Sequence, residues 1–599
     1  MRILLVYNST RMNSSKWYQE IAAQAPEGVT VETFCITPAP QGAPYPWEDL
    51  DEKWHLKETI LMRLYRQLVN KAKAFDVLIN YNGGNLHPEV LESLSTFNVY
   101  SCFDDPESSD WLSAPVANKY DAVFHGNIAS IFQYQHWGCK NFAFLPIFTT
   151  PSDVPTPNEY PLVNSTPRLR EIVFIGDNNH WRRQRLEALS ASFPQANIYG
   201  TESLRGKVSE EQKRSLYLDS QIGWNIHKSA GPNSRRLYEL AAYGVLQICD
   251  NKTGLGQIFR LGEEVIGFDT IQEAIELTQY FLKNDSERRA ITERAYDRYW
   301  RDYSTTAIWR RIIQQLNDWG AEPKSPQKGL PTWSVPKIFV PVAIITKRKL
   351  KQGKSLAKCI RDHLRQKKTK PVSFDERAYL GEIPAPYTEN PEMAHVNMAQ
   401  TRLNTGEPFE WPNIVALNWA VTSRIGKARR IVEIGSGTGA FAEYASIDVT
   451  RTIYCIEGDD FAREKSIELR SRPNVHYYKC FQDCPEKQFD LLVSIEVIEH
   501  IDQMPEFLKF CLGLAPRAIF STPNRTVVRS PEDFGPPAYE PHVREFDPGE
   551  LYWILRQYYA IVRLFYMPNE YVPWLAPMTI VTQGTPIIAE CTEPYLSQH

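Results

Sequence analysis

The stretch Ile431–Gly439 reads I-V-E-I-G-S-G-T-G and decides the fold of the C-terminal part of the chain. Its mostly β-branched beginning predicts a buried strand, and three glycines then follow at alternate positions. Because glycine has no side chain, a ligand can approach the backbone of such a turn closely. A second apolar run, Thr452–Ile456, is followed by an acidic residue that is suited to bind ribose hydroxyls. The candidate nucleotide-binding residues are Glu433, Gly435, Gly437, Gly439 and Glu457.

The spacing E-x-G-x-G-x-G differs from the G-x-G-x-x-G of a dinucleotide site. It resembles the first motif of the class I S-adenosylmethionine (SAM) methyltransferases. Phe489–Ser494, Glu496–Ile501 and Phe520–Asn524 resemble further segments of that family, in the same order. The resemblance implies a Rossmann-like α/β domain with SAM as cofactor. It also places the adenine contact after the third strand, where Phe481 could stack on the ring and Asp483 could bond to it. The alternative is a Rossmann-like layer that has lost its ligand.

Methyl transfer from a sulfonium needs a positioned acceptor and a group that takes the acceptor's proton. The candidates for this role are Glu499, His500 and His542. His542 lies in P-H-V-R-E-F, residues 541–546, which resembles the segment after strand five in glycan- and quinone-type O-methyltransferases. The alternative for either histidine is a supporting or capping role.

The first 320 residues contain two further series of alternating strands and helices, which predict two parallel α/β layers. The first series begins with the strand Ile3–Tyr7, and the second begins with Glu171–Gly176. A proline-rich stretch, Pro146–Pro167, separates them. Two such halves joined by a hinge predict a binding cleft between them.

The second half contains N-I-H at residues 225–227 and R-x-x-E-x-x-A-x-G at residues 236–244. A helix predicted over Asn233–Tyr243 would offer the amides of its first turn to a phosphate. Arg236 suits a diphosphate and Glu239 suits a ribose diol. The alternative for this pair is a surface ion pair three residues apart.

These strings resemble the donor domain of GT-B glycosyltransferases, and most closely the CgeB-like group. V-F-I-G at residues 173–176 and the basic W-R-R-Q-R at 181–185 add to the resemblance, which spans about residues 1–320. Tyr243 departs from the pattern, since a small residue or cysteine is commoner there. The resemblance implies these donor-site residues: Gly176, Arg182, Arg185, His227, Asn233, Arg236 and Glu239.

In the first half, C-F-D-D-P at residues 102–106 supplies two candidates for the base that deprotonates the acceptor, Asp104 and Asp105. An Asx turn before Pro106 is the alternative. GT-B enzymes usually stabilise the diphosphate without an essential metal, and no Asp-x-Asp string stands out. The ten scattered cysteines complete no zinc pattern, so we expect no metal site.

The sequence thus predicts an α/β chain of four parts: an acceptor-side domain (1–155), a nucleotide-sugar domain (156–320), a basic linker (321–371) and a methyltransferase domain (372–599). The linker stretch Lys347–Lys370 is either a solvated helix or a surface for an anionic partner or membrane. A net charge of −4 argues against a general nucleic-acid-binding protein. With no membrane span and no signal peptide in the sequence, a cytoplasmic location is expected.

The predicted function is a bifunctional enzyme that transfers a sugar from a nucleotide sugar to a glycan or glycoconjugate and O-methylates a sugar hydroxyl. One alternative is that the two activities modify separate positions of one glycoconjugate. The other is a glycan-binding scaffold in which one domain is inactive.

Overall fold

The computed structural model describes residues 1–9, 15–38, 44–156, 167–177, 180–200, 205–252, 254–330, 411–529, 537, 539 and 542–595. Three sheets follow one another along the chain, and each is flanked by helices. The α/β fold class is as predicted. The basic stretch Lys347–Lys370 lies outside the described residues. Within the described ranges, no helix is long and apolar enough to cross a membrane.

The first sheet has six parallel strands in the order β2-β1-β3-β4-β5-β6. Its strands are β1 (Arg2–Tyr7), β2 (Thr30–Cys35), β3 (Val77–Tyr81), β4 (Phe97–Cys102), β5 (Ala122–His125) and β6 (Phe142–Phe144). Its helices are α1 (Ser15–Ala23), α2 (Trp47–His55), α3 (Thr59–Ala72), α4 (Pro88–Leu91) and α5 (Ile131–His136). The central strand β3 is buried along its whole length, as expected for a parallel strand covered on both faces.

The second sheet has five parallel strands in the order β11-β10-β9-β7-β8. Its strands are β7 (Arg170–Ile175), β8 (Asn197–Tyr199), β9 (Ser220–Asn225), β10 (Leu246–Asp250) and β11 (Ile266–Phe268). The accompanying helices are α6 (His180–Ser192), α7 (Glu210–Asp219), α8 (Arg235–Ala242), α9 (Leu255–Ile258), α10 (Ile271–Lys283), α11 (Asp285–Asp302) and α12 (Thr305–Asp318).

One helix of the second series begins later than the sequence predicted, and another packs on the first sheet. Helix α8 begins at Arg235 and not at Asn233, because the Ser234 hydroxyl caps it by accepting the amide of Leu237. Helix α12 crosses back to the first sheet, where Ile308, Trp309 and further apolar residues join that core. The Trp309 indole donates to the carbonyl of Ile21 at 2.8 Å. The two halves are therefore tied together by packing as well as by the chain.

The third sheet has eight strands in the order β14-β13-β12-β15-β16-β19-β17-β18. Strands β12 to β16 are parallel to one another, and β17 to β19 pair antiparallel. Its strands are β12 (Arg430–Ile434), β13 (Thr452–Ile456), β14 (Val475–Tyr478), β15 (Leu491–Ile495), β16 (Arg517–Thr522), β17 (Tyr559–Tyr566), β18 (Ala576–Met578) and β19 (Ile587–Pro594). The helices are α13 (Pro412–Thr422), α14 (Ala440–Ala445), α15 (Asp460–Arg470), α16 (Met504–Leu514), α17 (Arg525–Val528) and α18 (Pro548–Arg556).

The third unit packs directly on the other two. Helix α13 shares an apolar cluster with Ile128 and Phe132 of the first unit, and Trp419 meets Phe132 edge to face at 5.4 Å. The rings of His136 and Tyr571 stack at 3.9 Å. Helix α13 thus serves as a docking element as well as the start of the third unit.

Candidate functional sites

The glycine turn after β12 has the conformation that its sequence predicts. Gly435, Gly437 and Gly439 all have positive φ angles, of 73°, 50° and 79°. A Cβ atom on Gly435 would lie 2.5 Å from a methyl of Val497, so the close approach there is to protein. A Cβ on Gly437 would meet nothing within 4 Å. Gly437 is therefore the point at which this turn faces open space.

Glu457 is tied to the glycine turn. Its carboxylate accepts the amide of Gly437 at 2.6 Å and that of Asp459 at 2.8 Å. The side chain is half-buried at the carboxyl end of β13, beside the end of β12. These two bonds hold the carboxylate of Glu457 beside the glycine turn.

Glu433 has a different environment, because its side chain lies inside the sheet. It is 1% exposed, and its carboxyl oxygen accepts the thiol of Cys455 at 3.7 Å. Burial raises the pKa of Glu433 well above its usual range. A side chain buried in this way does not lie on the open side of Gly437.

The two predicted adenine contacts lie in the short helical turn Phe481–Asp483 after β14. The ammonium of Lys487 lies 4.4 Å from the centre of the Phe481 ring, and Phe510 meets that ring edge to face at 5.2 Å. Asp483 is exposed and accepts the thiol of Cys480 at 3.1 Å. One face of the Phe481 ring is occupied, so an adenine would have to stack on the other.

The three predicted proton-accepting residues meet after β15. The backbone carbonyl of Glu499 accepts the amides of Val543 and Arg544, which holds the segment containing His542 against the turn Ile498–His500. The ring centres of His500 and His542 are 4.9 Å apart. Nδ1 of His542 faces a carboxylate oxygen of Glu545 at 3.1 Å, and its Nε2 lies 4.0 Å from Oε1 of Glu499. Burial lowers the pKa of His542, and Glu545 partly offsets this.

Glu496 lies directly after β15, beside Glu499, but was not among the predicted site residues. It is a non-glycine residue with a left-handed backbone, at φ 55°, and its carboxylate accepts the hydroxyl of Ser521 at 2.8 Å. Burial raises the pKa of Glu496 to about 7. Two glutamates in E-x-x-E directly after a buried strand were the available signal. Left-handed conformations of non-glycine residues concentrate at functional sites.

The donor-site candidates of the second unit gather at the carboxyl ends of β7, β9 and β10. Arg236 is buried, and its guanidinium donates to the carbonyls of Ile175 and Ile226 at 2.7 and 3.1 Å. The guanidinium of Arg182 lies over the ring of Phe174 at 5.5 Å, and that of Arg236 lies over the same ring at 4.4 Å. Burial, and then Arg236, lower the pKa of Arg182 to about 10. Two buried like charges this close create a strong preference for an anion.

Gly176 allows this arrangement, since a Cβ there would lie 2.6 Å from Nη1 of Arg236. Arg185 is half-buried, and burial lowers its pKa against the opposing effect of Asp250. His227 is fully buried, and its Nδ1 lies 2.6 Å from the carboxylate of Asp250. His227 is thus held in place by Asp250, whose partnership with it the sequence did not reveal.

The Arg236–Glu239 pair is not a surface ion pair, because both side chains are buried. Glu239 instead forms a salt bridge with Lys213 at 3.0 Å, and Lys213 also contacts Glu210 at 2.6 Å. The salt bridge with Lys213 holds the carboxylate of Glu239 in one position.

The structure separates the two aspartates of the first unit. Asp105 is fully buried and accepts the hydroxyl of Tyr134 at 2.5 Å, so it does not reach the surface where an acceptor would bind. Asp104 is exposed, and Asn82 donates to it at 3.2 Å. Asn233 donates to the carbonyl of the adjacent Phe103, which brings the second unit against this corner. Asp104 is therefore the solvent-exposed aspartate of the pair.

Two family models match separate parts of the chain. The family described as "Glycosyl transferase-like" matches residues 178–314, and the family described as "Methyltransferase domain" matches residues 410–558. No curated protein gives a significant match.

Solved structures align with separate parts of the chain. HepE of Anabaena, in complex with UDP and glucose, is 14% identical, with 53% of this chain and 100% of that chain covered and a TM-score of 0.36. Sucrose-phosphate synthase of Thermosynechococcus elongatus is 13% identical, with 53% and 99% covered and a TM-score of 0.40. The plantazolicin methyltransferase BpumL in complex with SAH is 12% identical, with 34% and 93% covered and a TM-score of 0.26. From the two family matches, the chain carries a glycosyltransferase-like domain and a methyltransferase domain.

Proposed function

We propose that the chain is a bifunctional enzyme that transfers a sugar from a nucleotide sugar to a glycan or glycoconjugate and O-methylates a sugar hydroxyl with SAM. The observation that carries the proposal is the direct packing of the methyltransferase unit on the glycosyltransferase unit through helix α13 and Phe132. Because the two units are packed together in one chain, an acceptor released by one unit would have a raised local concentration at the other. The proposed domain limits remain 1–155, 156–320 and 372–599, and the CgeB-like group remains the proposed relative of the first two.

The glycosyl-transfer step depends on charge at the leaving diphosphate. Arg182, Arg185 and Arg236 would neutralise it, together with the backbone amides at the start of helix α8. The carboxylate of Glu239, held by Lys213, would accept ribose hydroxyls. Asp104 would take the proton of the attacking hydroxyl, because it is the exposed member of the aspartate pair.

The methyl-transfer step would use the open face of Gly437 and the carboxylate of Glu457 to hold SAM. The acceptor oxygen attacks the methyl carbon, the bond from carbon to sulfur breaks, and its electrons return to sulfur. The acceptor's proton leaves at the cluster formed by Glu499, His500 and His542. A sugar hydroxyl is weakly acidic, so assistance at this cluster should contribute roughly 100- to 10,000-fold.

Mass spectrometry of the product tests the proposal. The full chain is incubated with a panel of nucleotide sugars, glycan acceptors and SAM carrying a labelled methyl group. A product that gains one sugar and one labelled methyl on oxygen supports the bifunctional enzyme. Donor binding without transfer to any acceptor would indicate the binding scaffold. Methyl transfer to protein or nucleic acid would contradict the assignment of the acceptor.

Variants of the histidines test the methyl-transfer site separately. His500→Ala and His542→Ala should lower methyl transfer while S-adenosylhomocysteine (SAH) still binds. His476→Ala is a matched control, since this histidine is exposed on β14 of the same unit. Full methyl transfer by both cluster variants would contradict the site.

A further inference from the structure

The cluster of Glu499, His500 and His542 has the composition and spacing of a metal site. One potential ligand atom from each of the three residues lies within 4.8 Å of the others. Bonds of about 2.0–2.2 Å from a metal to nitrogen or oxygen place two ligand atoms at most about 4.4 Å apart. The separation of 4.0 Å between Nε2 of His542 and Oε1 of Glu499 is too long for a hydrogen bond but suits two ligands of one ion. Small side-chain rotations would bring the third ligand into range.

The carboxylate of Glu499 is buried without a compensating partner. Its side chain is 1% exposed, and neither of its oxygens has a hydrogen-bond partner among the described residues. No Lys or Arg forms a salt bridge with Glu496 or Glu499 in the described part of the chain, although the charge of Glu496 acts on Glu499. Burying a carboxylate without a donor or a cation is costly, so unpaired buried carboxylates generally neutralise or bind a metal. Burial, followed by Glu496, raises the pKa of Glu499 well above its usual range.

His542 is oriented as histidine ligands usually are. Its Nδ1 faces Glu545 at 3.1 Å, and Glu545 is itself paired with Arg529 at 3.1 Å. This contact leaves Nε2 directed towards Glu499. Metal-bound histidines commonly donate their second ring nitrogen to a carboxylate in this way, which fixes the ring and its tautomer. The contact with Glu545 is an observation separate from the three residues of the cluster. It also supports Nε2 of His542 as the nitrogen that would bind a metal.

We infer that Glu499, His500 and His542 bind a divalent first-row transition-metal ion, with Glu545 as the residue that positions His542. Two imidazoles and one carboxylate favour ions such as Mn²⁺ or Zn²⁺ over Ca²⁺. Three protein ligands leave coordination positions open for an acceptor hydroxyl. The sequence led us to expect no metal, because the ligands are brought together from two segments about 40 residues apart and form no zinc spacing.

The role of the ion in catalysis, unlike its binding, rests on the proposed function. Coordination would lower the pKa of an acceptor hydroxyl. With the metal bound, the three side chains would act as ligands and would no longer accept the proton themselves. The oxygen would then form its bond to the methyl carbon, the electrons of the carbon–sulfur bond would return to sulfur, and the hydroxyl proton would pass to water. Atoms and charge balance without any oxidant or reductant.

Mn²⁺ binding to the full chain tests the inference without reference to methyl transfer. The protein is treated with EDTA, desalted and titrated with Mn²⁺, and free Mn²⁺ is measured by electron paramagnetic resonance. We expect one bound Mn²⁺ per wild-type chain, and no binding at this site in Glu499→Gln or His542→Ala. Glu545→Gln should weaken the affinity by roughly 10- to 100-fold. His476→Ala should bind Mn²⁺ as the wild type does.

Two controls separate an effect on folding from an effect on metal binding. Glu499→Gln keeps the side-chain volume and replaces one carboxyl oxygen by an amide nitrogen, and SAH binding reports whether the unit is folded in each variant. Absence of Mn²⁺ binding by the wild type, or equal binding by both ligand variants, would overturn the inference. Methyl transfer that continues unchanged in EDTA would overturn the catalytic role and leave the proposed function intact. Mn²⁺ bound at the cluster of a chain that methylates no sugar would support the site and contradict the proposed function.

Discussion

Gly437→Val should weaken SAH binding, and the structure sets the expected size. Gly437 has a φ of 50°, and a Cβ at this position meets no protein atom within 4 Å. A β-branched residue disfavours this conformation strongly, at a cost of about 1–3 kcal/mol. The turn would therefore rotate, and the amide of Gly437 would lose its 2.6 Å bond to Glu457. Glu457 would then no longer be held where the proposal places the ribose hydroxyls. Loss of one hydrogen bond from the ligand to this charged group would weaken binding by about 1.5–3 kcal/mol, roughly 10- to 150-fold.

Calorimetric titration of the full chain with SAH measures this loss. Gly262→Val is the matched control, because Gly262 has a φ of 77° and lies in the glycosyltransferase-like unit, and a Cβ on it would also meet nothing within 4 Å. Both variants should lower the free energy of unfolding by similar amounts, but Gly262→Val should bind SAH with wild-type affinity. Wild-type affinity in Gly437→Val would refute the assignment of this turn to SAM.

Four further predictions concern the glycosyltransferase-like unit. Arg236→Ala and Glu239→Ala should each weaken nucleotide-sugar binding by about 1.5–3 kcal/mol in calorimetry and leave SAH binding unchanged; normal donor binding in both would exclude the site. Asp104→Asn should lower glycosyl transfer by roughly 100- to 10,000-fold in a coupled assay without weakening donor binding, and unchanged turnover would exclude it as the base. EDTA should leave glycosyl transfer unchanged, and strict metal dependence would contradict the proposed mechanism. Burial raises the pKa of Asp105 to about 6, so the folded chain binds this proton more tightly than the unfolded chain does. The contribution of Asp105 to the free energy of unfolding should therefore fall as the pH rises from about 4 to 6. Asp105→Asn should remove this pH-dependent component from denaturation curves, and a pH profile identical to that of the wild type would contradict the prediction.

The sequence alone determined the elements with strong local patterns. Buried parallel strands are nearly continuous apolar runs, so the sequence predicted β12 and β13 with ends within one residue of those observed. The glycine turn at residues 435, 437 and 439 could also be predicted, because few residues other than glycine adopt a left-handed backbone conformation. The antiparallel strands β17 to β19 were not assigned, since their half-exposed pattern is weaker and their pairing joins distant segments.

Tertiary structure decided which of the predicted side chains can act. Asp104 and Asp105 are equivalent in the sequence, yet only the fold exposes one and buries the other against Tyr134. Glu239 lies one helical turn from Arg236, but packing pairs it with Lys213 from another helix. His542 meets Glu499 because backbone hydrogen bonds join two loops, and no local rule encodes that contact. Local propensity depends on residues adjacent in the sequence, whereas burial and charge pairing depend on groups that only the folded chain brings together.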